Sequence, residues 1–140
     1  MANTNPGPAV QTSAHPQGVQ SNQAVRLLAY IQGANVNSEG DVVLPIINST
    51  TYSVANVVLT NASTSLTTAY AGLFTLPSAG GTAIVANAAL SALTGPTVVS
   101  QRTVASTAAQ TGQNLYFNVG TAQGAAATVD VYVYGYDFSF

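Results

Sequence analysis

Short apolar segments alternate with polar turns along this chain, and most of the apolar segments have a period of two. The clearest example is Thr128–Phe140, where valine and aromatic residues occupy alternate positions. A period of two places successive side chains on opposite faces of a β-strand. Together with short apolar runs bounded by turn formers, this pattern predicts about eight strands. They are 25–33, 42–48, 53–61, 65–77, 82–86, 97–106, 114–120 and 128–140.

One segment predicts a helix. Asn87 is a suitable N-cap, Leu90 and Leu93 lie three residues apart, and a Gly-Pro pair follows Thr94. Such a helix spans barely two turns and is too short to cover a sheet. Many short strands with one short helix predict an all-β chain folded as a β-sandwich, and we favour a jelly-roll-like arrangement over other sandwiches.

The first 24 residues differ from the rest of the chain. They contain three prolines and many amide and hydroxyl side chains, and they show no hydrophobic periodicity. We therefore predict an extended N-terminal arm over 1–24, followed by one β-sandwich domain over 25–140. Two interpretations of the arm remain open: a floppy terminus, or a segment that becomes ordered when it lies on a neighbouring subunit.

The last predicted strand is apolar on both faces. One row consists of Val129, Val131 and Val133. The opposite row is aromatic and consists of Tyr132, Tyr134, Tyr136, Phe138 and Phe140. One row can line the interior of a sandwich, although the pattern does not say which, and the chain has no long helix to cover the other. We expect the remaining row to contact another subunit, and the alternative is coverage by the chain's own arm or loops.

The charge content supports an assembled state. Only 4% of the residues are charged, compared with about 25% in ordinary soluble domains. The only cationic side chains apart from histidine are Arg26 and Arg102, too few to neutralise a run of phosphates or anchor the chain to a membrane. We therefore expect neither nucleic acid nor membrane as a partner. A surface with so few charges is poorly protected against association, which predicts a homo-oligomer.

Residues for catalysis are scarce. The single histidine, His15, lies in the arm, and there is no cysteine. Glu39 and Asp41 share a turn, but a calcium loop needs more oxygen ligands than two carboxylates. Asp130 and Asp137 fall on opposite faces of a regular strand and so do not form a dyad. We predict no enzymatic activity, no cofactor and no metal site.

Several segments in the second half of the chain carry a resemblance. They are the Gly-hydrophobic-aromatic-Thr sequence at 72–75, the Gly-Gly-Thr-Ala turn at 80–83, Ala-Leu-Ser-Ala-Leu at 89–93, and AQGAAATVDVYVYGYD at 122–137. Over 67–140 the chain resembles small virion structural proteins of tailed bacteriophages, of the capsid decoration or cement type. The resemblance implies a homo-oligomer, often a trimer, that binds the major capsid protein on the outer head surface after synthesis in the bacterial cytoplasm. It supplies no catalytic or ligand residues.

The leading hypothesis assigns contacts to two parts of the chain. Contacts between copies are expected at Tyr132, Tyr134, Tyr136 and Phe138. Contacts with the capsid are expected in the arm, at Pro6, Pro8, Val10, His15 and Val19.

The alternative hypothesis is a tail-fibre or head-fibre module that binds a host receptor or glycan. Such a site needs exposed aromatic rings beside amide or carboxylate groups. Tyr116 with Asn118, or Tyr136 with Asp137, would supply them.

Overall fold

The structure of the chain, a computed structural model, describes residues 25–138 and consists there of eight β-strands without a helix. The strands are β1 (Arg26–Asn35), β2 (Gly40–Pro45), β3 (Tyr52–Thr60), β4 (Tyr70–Leu76), β5 (Gly80–Ala89), β6 (Val99–Arg102), β7 (Asn114–Thr121) and β8 (Thr128–Asp137). They form two antiparallel four-stranded sheets around one core, so the predicted all-β sandwich is confirmed.

The pairing of the strands follows a simple rule. The first sheet has the order β1-β8-β3-β6, and the second has the order β2-β7-β4-β5. Strands at equal distances from the two ends of the series are therefore hydrogen-bonded neighbours: β1 with β8, β2 with β7, β3 with β6, and β4 with β5. Most of these partners are remote in sequence, which the alternation of apolar residues cannot encode.

The core lies between the inward rows of the two sheets. In β8, Val129, Val131 and Val133 have no exposed surface, and Leu115 and Phe117 of β7 line the same cluster from the second sheet. Burying one such side chain contributes about 1.5–3 kcal/mol, so this cluster is the main source of stability.

The predicted helix is wrong. Asn87 and Ala89 belong to the end of β5, and Leu90–Leu93 form a single turn in which the Leu93 N–H donates to the Leu90 carbonyl over 2.9 Å. The Leu90 N–H donates to Ala69. Both leucines are fully buried, so their spacing of three reflects a turn that inserts two side chains into the core. An isolated two-turn helix is only marginally stable, and these backbone contacts outcompete it.

Polar contacts close the end of the sandwich where β1 begins and β8 ends. Arg26 donates to the Ile47 and Asn48 carbonyl oxygens over 2.5 and 3.0 Å, and it pairs with Asp137 at 3.4 Å. The Ser49 hydroxyl donates to the same carboxylate over 2.8 Å. These bonds join β1, β8 and the loop between β2 and β3.

Candidate functional site

The outer face of the first sheet carries a row of tyrosines, which we call the tyrosine face and define as Tyr30, Tyr132, Tyr134 and Tyr136. Tyr30 belongs to β1 and the other three belong to β8. Tyr30 is 47% exposed and Tyr136 is 38% exposed, while Tyr132 and Tyr134 are half-buried. This face is thus the remaining apolar row that the alternation predicted.

Packing on the inner side explains why the valines, not the tyrosines, face the core. Gly135 continues the valine row, and a Cβ there would lie 2.8 Å from Leu28 Cδ1 and against the backbone of β3. At that position the interior has no room for any side chain. Alternation along β8 then directs Tyr134 and Tyr136 outward.

Contacts within the face hold two of its rings in place. Tyr30 and Tyr132 are directly opposed across β1 and β8, with ring centroids 6.3 Å apart and planes inclined by 13°. The Gln32 side-chain amide donates to the Tyr132 hydroxyl over 2.9 Å. The stacked pair therefore presents a partly pre-ordered aromatic surface, which lowers the entropy cost of binding.

No exposed charge lies on the tyrosine face within residues 25–138. Asp130 is on this side of β8, but it is only 7% exposed. Its carboxylate accepts hydrogen bonds from the Gly33 backbone N–H over 2.8 Å and the Asn61 amide over 3.1 Å. Tyrosine enrichment with few charges is the composition of the buried centre of a protein–protein interface.

One polar group beside the tyrosines lacks a hydrogen bond in the described part of the chain. Asn56 lies opposite Tyr134 in the β3–β8 pairing, and its Oδ1 is buried without a donor. An unsatisfied buried acceptor costs about 1–3 kcal/mol. The face therefore contains a side chain whose hydrogen bonding is incomplete in the described residues of a single copy.

The outer face of the second sheet differs because its own hairpin covers part of it. Phe74 lies outside the core cluster, yet it is only 7% exposed, and its ring occupies the space beside Gly72. The Ser78 N–H, at the tip of the β4–β5 hairpin, donates to the Asp41 carboxylate in β2 over 2.8 Å. The hairpin tip thus reaches the far edge strand of its own sheet. The tyrosine face has no comparable cover from the described residues.

The structure separates one pair proposed for glycan binding and keeps the other together. Asp137 follows the inward valine row, and its carboxylate bonds to Arg26 and Ser49, away from the Tyr136 ring. Tyr116 and Asn118 both lie on the outer face of the second sheet, where the Asn118 amide donates to Asp41 over 2.8 Å.

The remaining predicted positions have different outcomes. Phe138 follows the end of β8 and is 41% exposed. The five predicted capsid contacts, Pro6, Pro8, Val10, His15 and Val19, lie outside the described residues, as does Phe140. The sequence interpretation missed Tyr30, because only the β1–β8 register places it opposite Tyr132.

Residues 25–138 contain no group of three or more histidine, aspartate or glutamate side chains arranged to hold a metal ion. They also contain no helix with the length and hydropathy needed to cross a membrane. In particular, Asp41 is engaged with Ser78 and Asn118, while Glu39 is exposed in the β1–β2 turn.

Comparison with known proteins gave no matching family model, no matching curated protein and no matching solved structure.

Proposed function

We propose that this chain is a structural protein of a tailed-bacteriophage virion, which binds the outer head surface as a homo-oligomer, most simply a trimer. The tyrosine face is the contact between copies, and the N-terminal arm is the contact with the major capsid protein. The protein acts by binding and performs no catalysis. Many repeated contacts on a lattice produce avidity even where each contact is weak.

The observation that carries this proposal is the tyrosine face itself. Four tyrosines lie side by side with no exposed charge among them, on a chain with only 4% charged residues. An apolar face of this kind on a soluble monomer promotes association, and tyrosine is suited to an interface because its hydroxyl bonds to water or to a partner. A position within an assembly accounts for both features.

We further infer that the sandwich is a jelly roll. Pairing of strands equidistant from the two ends is the pattern of one long hairpin, with β4 and β5 at its tip, rolled into two sheets. Jelly rolls occur in viral capsid proteins and also in lectins, so this inference is compatible with both functional hypotheses. Function depends on the surface residues and not on the fold.

The direct test is binding to phage heads. Purified protein is mixed with undecorated heads of the phage whose genome encodes the chain, and the heads are sedimented. We expect saturable co-sedimentation, and we expect deletion of residues 2–20 to abolish it while the circular dichroism spectrum stays unchanged. Absence of binding by the full chain at saturating concentration contradicts the proposal. Retained binding after the deletion contradicts the role of the arm.

The alternative, a fibre module for a host receptor or glycan, is favoured by one observation. Tyr116 and Asn118 lie two residues apart in β7 on the same outer face, an aromatic ring beside an amide. Binding to host cells or lipopolysaccharide, lost in Tyr116→Ala and absent with undecorated heads, would support this alternative over capsid decoration.

A further inference from the structure

Arg102 is a partly buried cation without a carboxylate partner in the described part of the chain. It ends β6 opposite Val57, a core residue, so its side chain extends between the two sheets. Its guanidinium donates to the Ala89 carbonyl over 3.2 Å. A guanidinium has five N–H groups in a planar fork suited to a carboxylate, so most of its donor capacity is unused by protein groups described here.

Of the other Asp, Glu and Arg side chains in the chain, all but one already have an ion-pair or hydrogen-bond partner within the described residues. Arg26, the only other arginine, pairs with Asp137. The carboxylates of Asp41 and Asp130 accept hydrogen bonds from neutral backbone and amide donors. Glu39 is the remaining acidic side chain, and residues 1–24 contain no aspartate or glutamate.

The surroundings of Arg102 form a cleft. Edge strands β5 and β6 of the two sheets border it, and its volume is about 290 Å³. Besides Arg102, the lining is small and mostly apolar: Val85, Ala86, Ala88, Gln101, Thr103 and Ala105. Burial here lowers the pKa of Arg102, since desolvation disfavours the cation. A counter-charge entering this cleft would be attracted more strongly than one in open water.

Glu39 is suited to enter such a cleft on another molecule. It lies in the turn between β1 and β2, at the end of the sandwich, and is exposed. No described residue bonds to its carboxylate. The cleft has the volume of about ten water molecules, enough for one side chain from a projecting turn.

We propose that the Arg102 cleft is an intersubunit site that receives the Glu39 carboxylate of a second copy of this chain. In a cyclic oligomer such as the proposed trimer, the contact is heterologous, because the turn of each copy enters the cleft of the next copy around the ring. The inference rests on the homo-oligomer of the proposed function and adds a specific pairing to it. In such an oligomer the tyrosine face supplies apolar contact area, and the Arg102–Glu39 pair fixes the orientation of one copy relative to the next.

The test is charge reversal, read by analytical ultracentrifugation. Arg102→Glu and Glu39→Arg should each raise the dissociation constant of the oligomer at least tenfold, and the double variant should restore assembly because the pair is present with its signs exchanged. Gln113→Glu and Ser38→Arg are the controls: the first places a glutamate at an exposed position that does not line the cleft, and the second places an arginine one residue from Glu39. Both should assemble like the wild type. If Arg102→Glu fails to fold, the neutral variants Arg102→Gln and Glu39→Gln replace the charge reversals. The dissociation constant of the double neutral variant should then be no higher than that of either single variant, because both single variants already lose the same pair.

Each outcome has a distinct meaning. A monomeric wild type contradicts the oligomer and this site together. A wild-type oligomer that Arg102→Glu leaves intact overturns only the cleft assignment. An oligomer that Arg102→Glu weakens but Glu39→Arg does not restore overturns Glu39 as the source of the carboxylate. Restoration in the double variant, with both controls unchanged, supports the pairing.

Discussion

Replacing Tyr30 and Tyr136 together by threonine should weaken self-association while leaving the fold intact. These two residues are the most exposed of the tyrosine face, at 47% and 38%. With about 200 Å² for a whole tyrosine side chain, they expose roughly 170 Å² per copy. At about 25 cal/mol per Å², full coverage of that area contributes about 4 kcal/mol. Threonine retains some of this area and preserves strand propensity, so we expect a loss of about 2 kcal/mol.

The assay is sedimentation equilibrium over a range of protein concentrations. A loss of about 2 kcal/mol corresponds to an increase of about 30-fold in the dissociation constant. The free energy of unfolding, measured by urea titration under dissociating conditions, should fall by only about 1 kcal/mol, the value of the lost stacking on Tyr132. This difference separates an effect on the interface from an effect on folding.

The matched control is Val43→Thr combined with Leu76→Thr. These residues are 45% and 55% exposed, and they belong to β2 and β4 of the second sheet. The control therefore removes apolar area from the other sheet, and we expect no change in assembly. Equal weakening by both pairs, or a wild type that stays monomeric at every concentration, would refute the assignment of the tyrosine face as the interface.

Three further predictions concern stability. Burial raises the pKa of Tyr52 from 10.0 to about 12. As the pH rises, the unfolded chain therefore loses this proton before the folded chain does, and the free energy of unfolding should fall by about 1.4 kcal/mol per pH unit between pH 10 and 12. Urea titrations at several pH values should show a shallower fall in Tyr52→Phe, which lacks the hydroxyl. The same dependence on pH in the wild type and in Tyr52→Phe would contradict this prediction. Gly135→Ala should cost about 3 kcal/mol, since its Cβ would clash with the Ser53 backbone carbonyl of β3 and meet Leu28 Cδ1 at 2.8 Å. An unchanged melting temperature would show that the inner face of β8 is looser than described. Ala79→Gly should stabilise the chain by about 1 kcal/mol, because Ser78 and Ala79 have φ of 57° and 58° in the hairpin turn, where glycine is favoured; a destabilised variant in thermal denaturation would argue against that geometry.

Most strands follow from local pattern, whereas their partners do not. Alternation predicts a strand over 128–140, and the structure has β8 over Thr128–Asp137, because side chains of a half-buried strand point alternately to the core and to the outer face. The same pattern carries no information about which strands form hydrogen bonds with each other, so it cannot place β8 between β1 and β3. The incorrect helix has a related cause. Leu90 and Leu93 form backbone hydrogen bonds with the segment before β4, which lies more than twenty residues earlier in the chain. A prediction from the local sequence around Asn87–Thr94 does not include those partners.

The candidate site, too, was predicted from the sequence only in part. The composition of the chain predicts association, and the alternation in β8 predicts that one apolar row remains outside the core. The choice of row depends on close packing at Gly135, and the extension of the face to Tyr30 depends on the β1–β8 register. Likewise, the sequence shows two arginines and four acidic residues. Only the packed sheets show that Arg26 is paired and that Arg102 lies in a cleft lined by no carboxylate from residues 25–138. Periodicity and composition are properties of neighbouring residues or of the whole chain, whereas pairing, burial and charge compensation arise only when distant segments are brought into contact.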